Sequence, residues 1–393
     1  MLVPGNEYDV IVLGAGAAGL MCAMRAGQRG KRVLLLDHAP ACGAKILISG
    51  GGRCNFTNTG TVPERFLSDN PDFCRSALSR YGPQDFIALV RRHGIAFHEK
   101  TLGQLFCDRS AREIVAMLLA ECEAAGVELR VGCRITGVSR SDTFRVDTTA
   151  GSFASGCLVL ATGGLSIPKL GATGFAHDLA ARFGLRLTPI RPGLVPLTFT
   201  AEPGQMMRGL SGVSLPCVAS AGRQKFREAM LFTHRGLSGP AILQISSYWT
   251  AGPIALDLLP DIDPNAFLLA AKRTRPKAGL TSVLAEVLPA RLAATLAGAT
   301  DAARMADMPD RLLTKVATGL KRWEVEPNGT EGFAKAEVTT GGIDTRDLSS
   351  RTMAATAVPG LFAIGEAVDV TGWLGGYNFQ WAWASGWCAG EAV

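Results

Sequence analysis

Five short motifs in this 393-residue chain carry residue types whose spacing could do chemistry. Gly14-Ala15-Gly16-Ala17-Ala18-Gly19 has the glycine spacing of a turn that admits a pyrophosphate to a helix N-terminus, where free N–H groups and a positive dipole end meet it. Asp37 follows 18 residues after Gly19 and is placed to accept ribose hydroxyls. Lys45 to Asn58 contains three consecutive glycines, Gly50, Gly51 and Gly52, followed by Arg53 and Asn55. Three such residues cost folding entropy, so close approach to a flat ring is the better explanation than a mobile loop. Arg53 would compensate negative charge on such a ring, and Asn55 would hydrogen-bond its edge. Ala161-Thr162-Gly163-Gly164 ends an apolar run and is positioned to touch a dinucleotide. Gly365-Glu366 offers a carboxylate to ribityl hydroxyls, which favours FAD over NAD. Gly375-Gly376-Tyr377-Asn378 gives a flat ligand access to the start of the last helix, whose N-terminus would stabilise negative charge at the flavin N1–C2=O edge.

Two candidate proton donors lie outside these motifs. His234, in LFTHRGLSGP, belongs to the side-chain type that titrates near neutrality. Cys107 would serve as a thiol, although a buried apolar cysteine is the more frequent role. With Arg53 these make the catalytic set.

The elements that must position these groups follow from hydrophobic pattern. YDVIVL (8–13) is a β-branched apolar run, a small-residue helix follows to about residue 29, and RVLLLD (32–37) is a second strand, together a βαβ unit. Helices are expected near 70–80, 84–93 and 110–125, a strand at 127–130, and a meander at 134–139, 143–148 and 152–154. CLVLA (157–161) reads as a separate buried strand. Prolines at 189, 192 and 196 mark a change of character. Residues 195–258 read as mostly β and 264–322 as helical. GLFAI (360–364) is a strand again, and a Gly/aromatic helix ends the chain. Trp381, Trp383 and Trp387 on that helix read as core.

The fold class is therefore α/β. A Rossmann-like FAD-binding domain with a parallel sheet comes from residues 1–188 and 334–393. An inserted β-rich, barrel-like domain spans 189–262, and a small helical domain spans 263–333.

Composition excludes several classes. Hydrophobic residues are 47% and charged residues 19%, so this is not a disordered tail. Ten scattered cysteines with no C-x-x-C pair and no zinc spacing exclude a disulfide reductase, a disulfide framework and a metal centre. No apolar run is long enough to span a bilayer, and no targeting segment is evident, so a soluble cytoplasmic protein is expected. A second G-x-G-x-x-G is missing, so NAD(P)H, as a candidate electron donor, would bind without a Rossmann domain of its own. The net charge of +6 permits a polyanionic partner. Lys272, Arg273, Arg275 and Lys277 crowd one loop of the insertion, with Arg91-Arg92 and Lys321-Arg322 as smaller patches.

Taken together, GAGAAGL (14–20), KILISGGGRCNFTN (45–58), ATGGLSIPKLG (161–171), LFTHRGLSGPAILQIS (231–246), AEVTTGGID (336–344) and GEAVDVTGWLGGYNFQWAWASG (365–386) resemble a family of bacterial flavoproteins with a fused insert domain. These are the aminoacetone-oxidase-like or bile-acid-inducible flavoprotein-like NAD(P)/FAD-dependent oxidoreductases. The resemblance implies FAD contacts at Gly14, Gly16, Gly19, Asp37, Arg53, Gly163, Glu366 and Asn378. HEKTLGQLFC (98–107), SSYW (246–249) and VEPNGTEG (325–332) look like the branch that reduces a uridine of large-subunit ribosomal RNA to dihydrouridine. That branch implies a hydride delivered to uracil C6, a proton to C5, and ribosomal RNA held by the basic loop. Two other readings are an oxidase of a small amine such as aminoacetone, and a non-catalytic flavin-binding assembly factor.

Overall fold

The computed structural model describes residues 6–298 and 304–393. The chain divides into two compact units, residues 1–191 with 338–393, and residues 192–337.

The first unit is built on a mixed sheet. The apolar run Glu7–Leu13 forms β1, and the small-residue stretch Ala17–Gln28 forms α1. β2 (Val33–Leu36) is buried throughout. A short helix α2 (Ala44–Ile48) leads to β3 (Asn55–Asn58), which belongs to a small antiparallel sheet with β4 (Phe97–Glu99) and β5 (Gln104–Cys107). Then come α3 (Arg112–Ala124), β6 (Glu128–Arg130), β7 (Ile135–Arg140), β8 (Phe144–Thr148) and β9 (Gly151–Leu160). After the second unit the chain returns as β10 (Val338–Thr340), β11 (Leu361–Ala363) and the final helix α4 (Tyr377–Ala392).

The main sheet runs β6-β2-β1-β9-β8-β7, with β11 also paired to β9. β6, β2, β1, β9 and β11 are parallel. The strand order reverses between β1 and β9, so the carboxyl ends of these two strands open on a crevice where ligands of such sheets bind.

One element differs from the sequence expectation. The segments 152–154 and 157–161 are a single ten-residue strand. Its first half pairs antiparallel with β8, and its last residues pair parallel with β11 on the same edge. Ser155 and Gly156 interrupt the apolar pattern where the partner changes, which is why the sequence reads as two strands.

α4 lies on α1. A methyl group on Gly386 would sit 2.5 Å from the Ala18 carbonyl, and one on Gly390 2.8 Å from the Cys22 carbonyl, so glycines set how closely these helices approach. Trp381 and Trp383 are buried, as expected. Their indole N–H groups donate to the carbonyls of Gly365 (3.0 Å) and Phe56 (2.8 Å). Trp387 is half-buried, stacked on Tyr81.

The second unit contains a seven-stranded sheet in the order 323–325, 254–257, 214–221, 224–232, 236–238, 197–198, 329–330. All its pairings are antiparallel. Helices Pro264–Thr274, Leu280–Leu284, Ala290–Ala297 and Asp310–Lys321 lie in the same unit. Asp263 caps the first of them, accepting from the N–H groups of Asn265 and Ala266.

Candidate functional site

The crevice is lined first by the turn after β1. Gly14 has a φ of +106°, and a methyl group there would sit 2.5 Å from the Ala161 carbonyl oxygen. The motifs at 14–19 and 161–164 therefore touch. Gly19 is just as crowded, since its methyl would fall 1.8 Å from the Gly14 oxygen. Gly16 is different: a methyl group there meets nothing within 4 Å. Gly16 caps α1, whose first turn has no side-chain cap and no acidic residue, so its N–H groups are open to an anion. Ala17 and Ala18 open the helix. Ala18 is small enough to admit Gly365, whose own methyl would lie 2.8 Å from the Ala18 Cβ.

Asp37 stands at the end of β2. One carboxylate oxygen accepts from the Ala15 N–H (2.6 Å) and the other from the Ala39 N–H (2.8 Å). It braces the first turn, and each oxygen retains a further lone pair for a ribose hydroxyl.

Beyond β9, Ala161 is buried and the Thr162 hydroxyl is buried with no hydrogen-bond partner. Gly163 has a φ of +74° and open space where a side chain would go. An orphaned hydroxyl beside an open glycine is what a site for a polar ligand with close backbone approach looks like.

Glu366 organises the far side. Its Oε2 accepts from Lys45 Nζ at 2.5 Å, and its Oε1 accepts from the Ser166 hydroxyl at 2.7 Å and the Thr339 N–H at 2.9 Å. Lys45 Nζ also donates to the Ser166 hydroxyl at 2.6 Å. The Thr339 hydroxyl accepts from the Leu165 N–H at 2.8 Å. Burial pushes the Glu366 carboxyl up, but the Lys45 ammonium and the donated hydrogen bonds outweigh it and hold the group below the usual carboxylate range. Ser166 and Thr339 have no place in the sequence-derived site set. They lie within ATGGLSIPKLG and AEVTTGGID, so the motif blocks contained them, but nothing in their type announced a role.

The triple glycine is an ordered turn. Gly50, Gly51 and Gly52 have φ values of +56°, +66° and +84°, a run that only glycine adopts without strain. Gly50 packs against Phe106, while Gly51 faces open space. Arg53 follows, exposed, and its guanidinium makes no hydrogen bond or ion pair among the described residues. The Asn55 amide, oriented to satisfy both its ends, donates to the Thr57 and Leu105 carbonyls and accepts from the Gly376 N–H. It thereby joins the triple-glycine segment to the start of α4. Gly375 and Gly376 both lie in the left-handed region, at φ +110° and +96°.

Three expected site residues turn out to be committed elsewhere. The Asn378 amide accepts from the Gly372 N–H (2.8 Å) and donates to the Gly372 carbonyl (2.9 Å), so it closes the turn that carries the glycine pair. Tyr377 is buried, and its hydroxyl accepts from Arg65. Both side chains position Gly375 and Gly376 and are not free to meet a ring. Cys107 is fully buried in the hydrophobic core, and burial pushes its thiol up to about 12. A thiol without surface hands no proton to a substrate. Its N–H donates to the Arg53 carbonyl (2.9 Å), so its position supports the turn instead. His234, in the second unit, is exposed on the turn between strands 224–232 and 236–238.

The basic loop also differs from its sequence reading. Lys272 donates to Asp310 and to the Met308 carbonyl, both at 2.7 Å, and Arg275 is ion-paired with Glu286. Arg92, Lys321 and Arg322 pair with Glu121, Asp257 and Glu324. Arg273 and Lys277 are exposed and make no ion pair among the described residues. Most of the apparent positive charge is neutralised internally.

A model of the HI0933-like protein Rossmann domain matches residues 8–392. The chain belongs to the HI0933-like family. It is 50% identical over 400 residues to the ribosomal RNA dihydrouridine synthase of Escherichia coli (strain K12), covering 99% of this chain and 98% of that one. The enzyme of the same name from Haemophilus influenzae is 44% identical, covering 99% of each chain. The 3-dehydro-bile acid delta(4,6)-reductase of Clostridium scindens is 27% identical, covering 97% of this chain and 98% of that one. Among solved structures, the apo Sdh1 complex of Mycobacterium smegmatis superposes with a TM-score of 0.50 at 18% identity, covering 98% of this chain and 68% of that one, a likeness of fold alone. The chain is an FAD-dependent oxidoreductase. The crevice fits that cofactor through its open glycines, its uncapped helix N-terminus and the unpartnered Thr162 hydroxyl. Among the described residues, no His, Cys, Asp and Glu cluster suits a metal ion, and no helix is long and apolar enough to cross a membrane.

Proposed function

We propose that this protein reduces the C5=C6 bond of a uridine in large-subunit ribosomal RNA, leaving dihydrouridine. The observation that carries this reading is the 50% identity to the Escherichia coli enzyme, in a match that covers 99% of this chain and so spans every motif of the crevice and the whole second unit. Gly14, Gly16, Gly19, Asp37, Gly51, Gly52, Thr162, Gly163, Gly365, Gly375 and Gly376 would hold FAD, with Lys45 and Glu366 fixing the strand ends between which it lies. Bound and reduced, FAD supplies the hydride that uracil C6 receives. The residues do the rest. Arg53 and the N-terminus of α4 offset negative charge, and the open glycines let the backbone approach the ligand closely. His234 is the remaining candidate to protonate C5. NAD(P)H is the candidate electron donor. The target base must be unstacked to reach any such crevice, and a ribosomal substrate would place the protein in the cytoplasm.

Nucleoside mass analysis of large-subunit ribosomal RNA tests this directly. Deleting the gene removes one dihydrouridine, and restoring it returns the modification. An unchanged dihydrouridine content in the deletion strain defeats the reading.

The RNA grip of the basic loop reduces to Arg273 and Lys277. The double variant R273A/K277A is expected to weaken RNA binding and flatten its salt dependence by about one in log–log slope per lost phosphate contact. Titration of wild-type and variant protein at several salt concentrations reads this. Equal slopes would remove the loop from the interface.

A further inference from the structure

Arg191 is in none of the motifs discussed above. It ends the first stretch of the FAD-binding unit, and the segment before it is tied to the strand that carries Thr339. Thr188 N–H donates to the Gly342 carbonyl (2.9 Å) and Gly342 N–H donates to the Thr188 hydroxyl (3.1 Å). The Thr340 hydroxyl donates to the Arg191 carbonyl (3.1 Å). Thr339, the adjacent residue, donates its N–H to Glu366. The Arg191 backbone is therefore held beside the strand that binds Glu366.

Its side chain is half-buried, and the guanidinium Nε is buried with no hydrogen-bond partner. The guanidinium also lacks an ion pair among the described residues. The carboxylate bound to the adjacent Thr339, Glu366, is already satisfied by Lys45, Ser166 and Thr339. A buried N–H donor left without an acceptor is costly unless a ligand completes it. The FAD groups that carry charge already have partners proposed above, the open N-terminus of α1 for the pyrophosphate and Arg53 with α4 for the ring.

We propose that Arg191 binds an anionic oxygen of the nucleotide substrate. This rests on the reduction of uridine proposed above. When a hydride adds to C6, the C5=C6 electron pair moves onto C5 and the C4 oxygen. A guanidinium there holds that charge until a proton reaches C5 and completes dihydrouridine, with two electrons and one proton added as hydride and a second proton at C5. The same donor fork also suits a phosphate oxygen of the RNA backbone. Both sources share one chemistry and separate on measurement.

The experiment uses flavin-loaded wild type, R191A and R191K with large-subunit ribosomal RNA from the deletion strain. It follows kcat, KM, RNA affinity against salt, and flavin content. R191A is expected to lose on the order of 100-fold in kcat/KM with its flavin retained. A loss in kcat with RNA affinity unchanged, not rescued by R191K, places the C4 oxygen on Arg191. A rise in KM with a salt slope lower by about one, partly rescued by R191K, places a phosphate there. If R191A does not fold, R191K alone decides, because wild-type kcat, KM and salt slope in R191K would overturn the proposal. Wild-type kinetics in R191A, or flavin loss as the sole effect, also overturns it. Absence of dihydrouridine formation by the wild type is a separate result, which removes the proposed function and this inference with it.

Discussion

Gly16→Ala leaves the protein folded and weakens FAD binding by on the order of 100-fold, whereas Gly19→Ala gives no stable fold; this contrast is the sharpest expected result. The two glycines belong to one fingerprint but meet different surroundings. A methyl on Gly19 would lie 1.8 Å from the Gly14 carbonyl oxygen, and both partners are backbone. No rotamer relieves that contact, so α1 would have to leave β1 and with it the core. Gly16 has a φ of −83° and a ψ of −169°, a conformation any residue adopts, and its methyl would enter space with no protein atom within 4 Å. Alanine at a helix N-cap costs under about 1 kcal/mol relative to glycine. The methyl therefore collides with ligand alone, and a 100-fold loss corresponds to about 2.8 kcal/mol. Thermal melting of the flavin-free proteins and flavin titration separate the two effects. Unaltered FAD affinity in Gly16→Ala would mean that the pyrophosphate does not approach this turn.

Lys45→Met should cost about 3 kcal/mol at neutral pH and reverse the sign of a pH dependence. The Lys45 ammonium is the sole cation on the Glu366 carboxylate among the described residues. Removing one partner of a largely buried pair strands the other charge, which is worth about 3–5 kcal/mol when burial is complete. Both side chains keep some exposure, so the low end applies. In the wild type the folded Glu366 carboxyl is held below its unfolded value. Its contribution is thus full above the unfolded value of about 4.3 and is lost as pH falls through the folded value. Without Lys45, burial is the largest remaining influence and raises the carboxyl. Its ionisation then opposes folding, so the variant gains stability as pH falls from neutrality. The double variant K45M/E366Q, which leaves no charge to strand, should recover part of the loss. Unfolding measured from pH 4 to 8 for the three proteins checks this. Parallel pH curves for wild type and Lys45→Met would rule out the pairing as the source.

The local elements around the crevice were legible because they are written in contiguous residues. YDVIVL with its glycines and RVLLLD announce a strand, a turn, a helix and a strand without help from the rest of the chain. Glu366 stood out as a carboxylate after a buried strand, a short-range pattern, but its partners Lys45, Ser166 and Thr339 lie 321, 200 and 27 residues away. What could not be read is what depends on partners far off in sequence. The carbonyl of Arg191 meets Thr340, 149 residues away, and nothing in a proline-spaced stretch signals an unpaired guanidinium. Lys272 and Arg275 count as free charges until Asp310 and Glu286 are placed against them. Asn378 and Tyr377 have the residue types of ligand contacts, yet Gly372 and Arg65 already use their polar atoms. Sequence shows which groups can form hydrogen bonds; only the fold shows which remain unspent.

The contact between α1 and α4 has a consequence for biosynthesis. Roughly 350 residues separate Gly14 from Glu366, and translation at roughly 5–20 residues per second takes tens of seconds to cover them. During that interval the first βαβ unit exists without β11, Glu366 or the helix that covers α1. Buried residues of α1 that meet the final helix, Ala18 and Met21 among them, wait for partners. Cofactor loading is therefore a late event in the life of the nascent chain, and the half-built sheet is the stage at which a chaperone has most to protect.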